Sequence, residues 1–221
     1  MSSEIKRWWN EDKIQWYERA AEHTDFHSRL AKELSSIIPA KSSIAEYGCG
    51  LGYLAYELYK LGYNVNAYDI DADAIKIAKE RTNTDIYTES DCYELSSSSD
   101  YAIAMFFGRI TEPGNIERLM KPVRHGLIYI TRGGSARHTD PSLVSEFLNG
   151  RKLSFNIREL ELEFSQPLEN SEDASAFLKT YYRDEELRKD KMSHLKPYGK
   201  HGFEYIMENR KKLTIYTIRK E

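Results

Sequence analysis

The residues best suited to chemistry form one short run, Glu46-Tyr47-Gly48-Cys49-Gly50-Leu51-Gly52, between a predicted strand and a predicted helix. Glycines at alternate positions allow the backbone to turn sharply and to approach a ligand closely. The helix that follows presents unpaired amide groups in its first turn. Because an acid, Glu46, precedes the glycines, the turn suits a ligand with positive charge better than it suits a pyrophosphate.

Two further acids, Asp69 and Asp91, follow the next two predicted strands. The carboxyl ends of parallel strands meet at one edge of a sheet, where α/β proteins bind their ligands. The dinucleotide fingerprint G-x-G-x-x-G requires glycine at position 53, where this chain has Tyr53. Asp69 still fits the acid that holds a ribose in dinucleotide-binding domains. A NAD(P)-linked oxidoreductase therefore remains an alternative, as does a non-catalytic binding protein that keeps the same fold.

The elements that must position these residues alternate between strand and helix. Strands are predicted over 43–47, 64–69, 85–88, 101–107 and 126–131, and helices over 53–61, 72–81 and 116–123. The apolar run 101–107 is typical of a strand that is buried on both faces. This alternation predicts an α/β fold with a doubly wound, mostly parallel sheet.

The flanking segments have a different texture. Residues 4–38 repeat apolar residues at helical spacing, with a break predicted at Thr24-Asp25. The remaining predicted elements are a loop over 132–139, a helix that starts at Asp140-Pro141, a strand over 153–164, a helix capped by Ser171 and a last strand over 213–218.

Composition bounds the class of protein. The chain has 221 residues, with 32 basic and 35 acidic side chains and a net charge of −3, which disfavours a nucleic-acid or polybasic membrane partner. No run approaches the ~20 apolar residues of a membrane span, and no secretory signal is visible. Two cysteines make neither a disulfide framework nor a four-thiolate zinc site. These features predict a single cytoplasmic domain over 1–221 and leave the oligomeric state open.

The glycine run with its acids, Glu46, Asp69 and Asp91, resembles the class I S-adenosylmethionine-dependent methyltransferases. The resemblance is specific over residues 44–107 and looser up to 131. It implies a Rossmann-like, seven-stranded sheet with an antiparallel last strand. It also implies S-adenosyl-L-methionine as cofactor and S-adenosyl-L-homocysteine as product.

The resemblance also implies roles for individual residues. Glu46 compensates positive charge near the ammonium group of the cofactor, Asp69 holds the ribose hydroxyls, and Asp91 accepts from the adenine amino group. The apolar side chain of Ile70 packs on adenine. The full predicted cofactor set is Glu46, Gly48, Cys49, Gly50, Gly52, Asp69, Ile70, Asp91, Cys92 and Phe107.

The methyl acceptor is predicted to be a small molecule. The N/D-P-P-Y/F signature of enzymes that methylate adenine or glutamine follows the fourth strand, and here that region reads Phe106-Phe107-Gly108-Arg109. No proline pair or amide is present there to hold a planar amine. The acceptor atom is not identified, and transfer of the aminopropyl arm instead of the methyl group stays open.

In the resembling family, an N-terminal helical lid and a late insertion cover the acceptor site. Here these segments are 1–38 and 133–211, which flank a cofactor-binding core over 39–132 and precede a last strand over 212–221. They supply, with the strand ends, three candidate catalytic residues (His23, His27 and Arg109) and three candidate substrate contacts (Tyr17, Arg132 and His138). No metal site is predicted, because His23 and His27 lack a third ligand in the sequence.

Overall fold

The N-terminal segment folds as two helices in the computed structural model, which describes residues 8–132 and 140–220. Helix α1 (Glu11–His23) begins at Asn10, whose side chain accepts a hydrogen bond from the amide of Lys13 at 3.0 Å. The helix ends where the backbone amide and the hydroxyl of Thr24 both donate to the carbonyl of Ala20. Helix α2 (Phe26–Ser35) follows at once. The predicted break at Thr24-Asp25 is confirmed.

The central segment alternates strand and helix as predicted. Its elements are β1 (Ser43–Tyr47), α3 (Tyr53–Lys60), β2 (Asn64–Asp69), α4 (Ala72–Thr82), β3 (Tyr87–Glu89), a 3₁₀ turn (Cys92–Glu94), β4 (Ser99–Met105), α5 (Asn115–Met120) and β5 (Val123–Arg132). Asp71 caps α4, since its side chain accepts from the amides of Asp73 and Ala74. Strand β4 ends two residues earlier than the sequence predicts, because Phe106 adopts a left-handed conformation.

The later segment contains more elements than the sequence indicates. They are α6 (Pro141–Gly150), β6 (Phe155–Glu163), β7 (Gln166–Leu168), α7 (Ser171–Tyr181), α8 (Glu185–Ser193), β8 (Lys196–Lys200), β9 (Phe203–Met207) and β10 (Arg210–Arg219). Helix α6 has the predicted Asp140 cap and proline at its first position. The prediction of Ser171 as the cap of α7 is wrong: Asn170 accepts from the amides of Glu172 and Asp173.

The main sheet has seven strands in the order β3-β2-β1-β4-β5-β10-β6. The pairs β1–β2, β1–β4, β2–β3 and β4–β5 are parallel, and β10 pairs antiparallel with β5. This arrangement confirms the predicted doubly wound, mostly parallel sheet with an antiparallel last strand. The chain reverses direction across the sheet between β1 and β4, so the carboxyl ends of these strands form the crevice where such sheets bind ligands.

One face of the sheet packs on α5 and α6. Alternate residues of β1, β4, β5 and β10 point toward these helices and are almost completely buried, among them Tyr47, Ala104, Tyr129 and Tyr216. The buried tyrosines keep hydrogen-bond partners; the hydroxyl of Tyr216, for example, donates to the carbonyl of Pro141 at 2.6 Å. This packed face holds the strand ends rigidly, which fixes the position of the crevice.

The described chain separates into two compact units. The larger consists of His27–Leu162 with the residues from Lys212 onward, and contains the seven-stranded sheet. The smaller consists of the residues up to Phe26 with Glu163–Lys211. It contains an antiparallel sheet, β7-β9-β8, and a core built around Trp16, Phe177 and Leu178. The indole of Trp16 donates to Asp173 at 2.7 Å, which ties α1 to α7.

Two searches over residues 8–132 and 140–220 give negative results. No helix in these ranges is long and apolar enough to cross a membrane. Nor do these ranges bring together three or more histidine, cysteine or acidic side chains that could hold a metal ion.

Candidate cofactor and acceptor site

The glycine turn between β1 and α3 has the backbone conformation that its sequence predicts. Gly48, Gly50 and Gly52 have φ values of 66°, 53° and 72°. These angles lie in the left-handed region that residues with a Cβ atom disfavour. At Gly48 a Cβ atom would lie 2.3 Å from the ring of Phe107, and at Gly52 it would lie 2.3 Å from the ring of Tyr87. Gly48 and Gly52 must therefore be glycine for two reasons: their backbone conformation disfavours a Cβ atom, and a Cβ atom would clash with a neighbouring ring.

Asp69, at the end of β2, holds this turn in place. Its Oδ2 accepts a hydrogen bond from the amide of Gly50 at 2.7 Å, and its Oδ1 accepts from the amide of Asp71 at 2.9 Å. Each carboxylate oxygen can accept a further hydrogen bond. The acid predicted to bind ribose thus also connects the strand end to the glycine turn.

Glu46 is the most unusual residue of the site. Its side chain is buried, with 1% of its surface exposed, and its Oε2 has no hydrogen-bond partner among the described residues. Burial raises the pKa of Glu46 to about 8, against the opposing effect of a hydrogen bond from the Ala55 amide and with a smaller contribution from the negative charge of Asp69. Buried polar atoms almost always have partners. The bare oxygen therefore marks a place where a cationic ligand group would be stabilised.

The adenine side of the predicted site lies after β2 and β3. Asp91 begins the 3₁₀ turn, and its Oδ1 accepts from the amide of Tyr93 at 2.9 Å. Burial raises the pKa of the Cys92 thiol to about 12, so this side chain is uncharged at neutral pH. Ile70 is 45% exposed, which leaves an apolar surface that a flat ring can cover.

The end of β4 is strained and aromatic. Phe106 has a φ of 55° and is 42% exposed, although bulky residues rarely adopt this conformation. Its amide donates to the carbonyl of Ile130, and the hydroxyl of Tyr129 donates to the carbonyl of Gly108, each at 2.9 Å. The ring of Phe107 packs on Gly48, the first glycine of the turn. The strained loop is thus fixed on both sides and presents one phenyl ring to solvent and the other to the glycine turn.

The predicted acceptor-side cations lie at the ends of β4 and β5. Arg109 is exposed and forms an ion pair with Glu112 at 3.0 Å. Arg132 is exposed at the last position of β5. The predicted contact His138 lies outside the described residues.

The two candidate catalytic histidines have different surroundings. In the larger unit, His27 is buried and stacks on Tyr53, with ring centres 5.2 Å apart and planes at 29°. The guanidinium of Arg81 also lies on this ring, 3.7 Å from its centre. In the smaller unit, His23 contacts Tyr198, whose hydroxyl lies 3.4 Å from Nδ1. His27 thus lies against an aromatic ring in the larger unit, and His23 contacts a tyrosine hydroxyl in the smaller unit.

Tyr17, the remaining predicted substrate contact, belongs to an aromatic cluster of the smaller unit. Its ring lies 5.3 Å from that of Trp9 and 5.4 Å from that of Phe164. The ammonium of Lys211 lies 3.7 Å from the centre of the Phe164 ring. In this cluster the ring of Phe164 contacts both the ring of Tyr17 and the ammonium of Lys211.

Two residues that hold the glycine turn escape prediction from sequence. The guanidinium of Arg81, on α4, donates to the carbonyl of Leu51 at 2.9 Å. The hydroxyl of Tyr87, on β3, donates to the carbonyl of Gly52 at 3.1 Å. Both carbonyls belong to the turn, so each contact restrains it. The only sequence signal was their position on elements that directly follow the motif.

Comparison with known proteins finds a family model that matches the part of the chain that carries this site. Residues 45–108, which include the glycine turn, Asp69 and Asp91, match the model of a family described as a methyltransferase domain. No curated protein matches the chain significantly.

Several solved structures share the fold over most of the chain. Magnesium protoporphyrin IX methyltransferase from Synechocystis, crystallised with bound SAM, is 12% identical with a TM-score of 0.54, covering 97% of this chain and 86% of its own. A TehB-like SAM-dependent methyltransferase from Corynebacterium glutamicum is 16% identical with a TM-score of 0.54, covering 94% and 96%. A putative RNA methyltransferase from Pyrococcus horikoshii is 15% identical with a TM-score of 0.51, covering 91% and 83%.

The residues at the carboxyl ends of the strands fit S-adenosylmethionine as a ligand. A bare, buried carboxylate oxygen on Glu46 suits a cationic amino-acid tail, and the exposed Ile70 suits an adenine ring. The family match covers the turn that carries these residues, and similar structures hold SAM or its product SAH. Residues 45–108 thus match a methyltransferase domain, and the chain has the Rossmann-like fold of class I S-adenosylmethionine-dependent methyltransferases.

Proposed function

We propose that the methyl acceptor of this enzyme is a small molecule, bound where β4 and β5 end. The observation that carries the proposal is the loop after β4, in which Phe106 is exposed and strained and is followed by Phe107-Gly108-Arg109. This loop offers an apolar ring and a cation, and it lacks the amide and proline pair that would hold a planar amine. An aromatic or apolar acceptor with an anionic group suits these two side chains.

The names of the similar structures support more than one acceptor class. One of them acts on a magnesium porphyrin and another is named for RNA. The charge of this chain favours a small-molecule acceptor over RNA, since a net charge of −3 repels a polyanion.

Cofactor binding is proposed to rest on the carboxyl ends of β1, β2 and β3. The cofactor supplies an electrophilic methyl group on a sulfonium sulfur. Glu46 provides the negative charge that faces the cationic tail, Asp69 accepts hydrogen bonds from ribose hydroxyls, and Asp91 accepts from the adenine amine. The full proposed set remains Glu46, Gly48, Cys49, Gly50, Gly52, Asp69, Ile70, Asp91, Cys92 and Phe107.

The chain's own part in methyl transfer is to position the acceptor in line and, where needed, to take a proton. Arg109 holds an acceptor carboxylate or phosphate, with Arg132 as a second cation of the same rim. His27 stacks on Tyr53 and so supports the first turn of α3. His23 is the candidate general base, and Tyr17 is a candidate acceptor contact.

The acceptor class is tested with radiolabelled cofactor and an extract of the source cells divided by ultrafiltration. We expect the purified enzyme to label the low-mass fraction. Label in the nucleic-acid or protein fraction instead would contradict the proposal. An Asp69→Asn variant, which should bind the cofactor poorly, shows which labelling depends on the enzyme.

Arg109 is tested once a labelled acceptor is isolated. Arg109→Gln should raise the KM for the acceptor about tenfold, because it removes a charge-assisted contact. Lys60→Gln is the matched control, since Lys60 is also exposed and also pairs with a glutamate three residues away on the chain. Equal effects of the two substitutions would remove Arg109 from the acceptor site.

A further inference from the structure

A second groove lies in the larger unit, at the end of the sheet opposite the glycine turn. It is bordered by the beginnings of β4 and β5 and by the end of β10, and its volume is about 510 Å³. This volume falls within the range of about 300–1,000 Å³ that is usual for small-molecule sites. None of the proposed cofactor or acceptor residues that the structure describes lines it.

The floor of the groove is Gly126, which lies between Tyr101 and Arg219. Tyr101 on β4 lies opposite Gly126 on β5, and Gly126 lies opposite Arg219 on β10. Residues directly opposite each other point to the same face of a sheet. A Cβ atom at Gly126 would lie 2.6 Å from the carbonyl of Ile218, so the approach of β10 requires glycine here. As a result, a phenol ring and a guanidinium group flank a bare floor.

The spacing of this row suits a flat ligand. Neighbouring strands lie ~4.8 Å apart, so the strands of Tyr101 and Arg219 are about 10 Å apart across the glycine. An aromatic ring needs about 3.5 Å on each side for stacking contacts. A planar ring therefore fits between the two side chains without displacing either.

The charged side chains that line the groove are basic. Its lining includes Arg158, Arg219, Lys220 and His125, and no carboxylate belongs to the lining within residues 8–132 and 140–220, although the chain as a whole is negative. The ammonium of Lys220 is held by three backbone carbonyls, and Arg158 pairs with Glu33 at 3.4 Å. Within the described part of the chain, no side-chain partner is seen for the guanidinium of Arg219. This cation is the one positioned to bind an incoming anion.

The neighbouring acid does not cancel this charge. The carboxylate of Asp100 accepts from the amide and hydroxyl of Ser43 and forms an ion pair with Arg124 at 3.2 Å. These hydrogen bonds and the Arg124 charge hold the pKa of Asp100 below its ordinary value. His125 lies 3.9 Å from the same carboxylate and beside the Tyr101 ring. The acid is thus engaged outside the row formed by Tyr101, Gly126 and Arg219.

We propose that this groove is a second binding site, for a small anion with a planar ring, the chemical class of the nucleoside monophosphates. The ring stacks on Tyr101 above Gly126, and the guanidinium of Arg219 forms paired hydrogen bonds with the phosphate. The side-chain amide of Asn156, which also lines the groove, serves the polar edge of the ring or a sugar. This site is independent of the proposed methyl acceptor.

The test is a calorimetric titration of the whole protein with its cofactor site saturated by S-adenosylhomocysteine, so that only other sites respond. Adenosine monophosphate, adenosine and inorganic phosphate are titrated separately. We expect the nucleotide to bind about tenfold or more tightly than either part alone, because ring and anion are both recognised. Absence of nucleotide binding at millimolar concentration would overturn the proposal, as would equal binding of nucleotide and phosphate.

Variants assign the binding to the groove. Arg219→Gln and Tyr101→Leu should each weaken nucleotide binding about tenfold, by loss of the ion pair and of the stacking surface respectively. Lys76→Gln is the control, because Lys76 is an exposed cation on α4, away from the groove. All three should bind S-adenosylhomocysteine normally, which shows that they fold. If Arg219→Gln behaves like Lys76→Gln, the nucleotide binds elsewhere and the proposal fails.

Discussion

The amide of Gly50 donates to Oδ2 of Asp69 at 2.7 Å, across the gap between the glycine turn and the end of β2. The carboxylate of Asp69 fixes the turn, and its remaining lone pairs are proposed to accept hydrogen bonds from the ribose. The geometry of the turn and the chemistry of the ligand therefore depend on the same side chain.

Substitution of Asp69 by asparagine should impair both the stability of the turn and cofactor binding. An amide has one acceptor oxygen, so one of the two backbone donors, Gly50 or Asp71, loses its partner. We expect a loss of about 1–3 kcal/mol in the free energy of unfolding. S-adenosylhomocysteine binding should weaken about tenfold or more, since ribose contacts and turn geometry are both affected.

Asp85→Asn is the control for this substitution. Asp85 is an exposed acid just before β3 and changes charge in the same way. Urea unfolding and calorimetric titration should show it to be close to wild type. A normal affinity in Asp69→Asn would contradict the role assigned to Asp69.

The glycines of the turn should differ sharply from a glycine elsewhere with a similar backbone. Gly48→Ala places a Cβ atom in the left-handed region and against the ring of Phe107, and should cost about 2–5 kcal/mol of stability. Gly62→Ala shares the strained backbone, with a φ of 86°, but its Cβ would meet nothing within 4 Å. It should cost only about 1–2 kcal/mol.

Urea denaturation of the two glycine variants measures this difference. The excess loss in Gly48→Ala reports the steric contact with Phe107, and cofactor affinity should fall only in this variant. Equal losses would mean that the ring moves aside freely and that the turn is not packed as described.

The hydrogen bond from the hydroxyl of Tyr87 to the carbonyl of Gly52 should contribute to cofactor affinity, because it restrains the glycine turn. Tyr87→Phe keeps the ring against Gly52 but removes the hydroxyl that donates to its carbonyl. We expect a loss of about 0.5–1.5 kcal/mol in stability and a several-fold weaker affinity for S-adenosylhomocysteine. Thermal unfolding and calorimetry measure the two quantities.

Tyr63→Phe is a close match for this variant. The hydroxyl of Tyr63 is buried and donates to the carbonyl of Ile38 at 3.0 Å, away from the turn. It should lose a similar amount of stability and bind the cofactor product normally. A parallel change in affinity would show that general loosening, not the contact with Gly52, is responsible.

The sequence predicts the sheet well because its signals are local. Alternating strands and helices, and the glycines after β1, depend on neighbours along the chain. The roles of Arg81 and Tyr87 could not be predicted, since each acts on a carbonyl at least 30 residues away. The small sheet β7-β9-β8 was not predicted from the sequence, for another reason. Its strands are short, and β8 carries Pro197 and Gly199, which argue against a strand.

Phe106 illustrates a second kind of failure. The apolar run predicts a strand to residue 107, and nothing in the residue types signals the left-handed turn at Phe106. The loop is held by hydrogen bonds with β5: the amide of Phe106 donates to the carbonyl of Ile130, and the hydroxyl of Tyr129 donates to the carbonyl of Gly108. Local preference is overridden where tertiary contacts fix a site, and such places are often functional.

The buried acid Glu46 should make both stability and cofactor affinity depend on pH. Burial raises its pKa from 4.5 to about 8, so between these values the folded protein binds a proton that the unfolded chain has released. The contribution of Glu46 to stability is therefore fully present below pH 4.5 and is lost as the pH rises through 8. The slope for one proton is at most about 1.4 kcal/mol per pH unit.

Cofactor affinity should change in the opposite sense. A cationic tail near Glu46 favours the ionised carboxylate, so binding below pH 8 releases a proton and strengthens as the pH rises. Calorimetry with S-adenosylmethionine in two buffers of different ionisation enthalpy measures the number of protons released. We expect close to one proton at pH 6.5 and few above pH 8.5, given the pKa of about 8.

Glu46→Gln distinguishes this residue from other titrating groups. Glutamine is nearly isosteric with the protonated acid, so the variant should fold, lose the stability slope between pH 5 and 8 and release no proton on binding. Asp85→Asn should retain both effects, since it alters an exposed acid outside the site. Proton release that persists in Glu46→Gln would assign the titration to another group and would remove Glu46 from contact with the ammonium group of the cofactor.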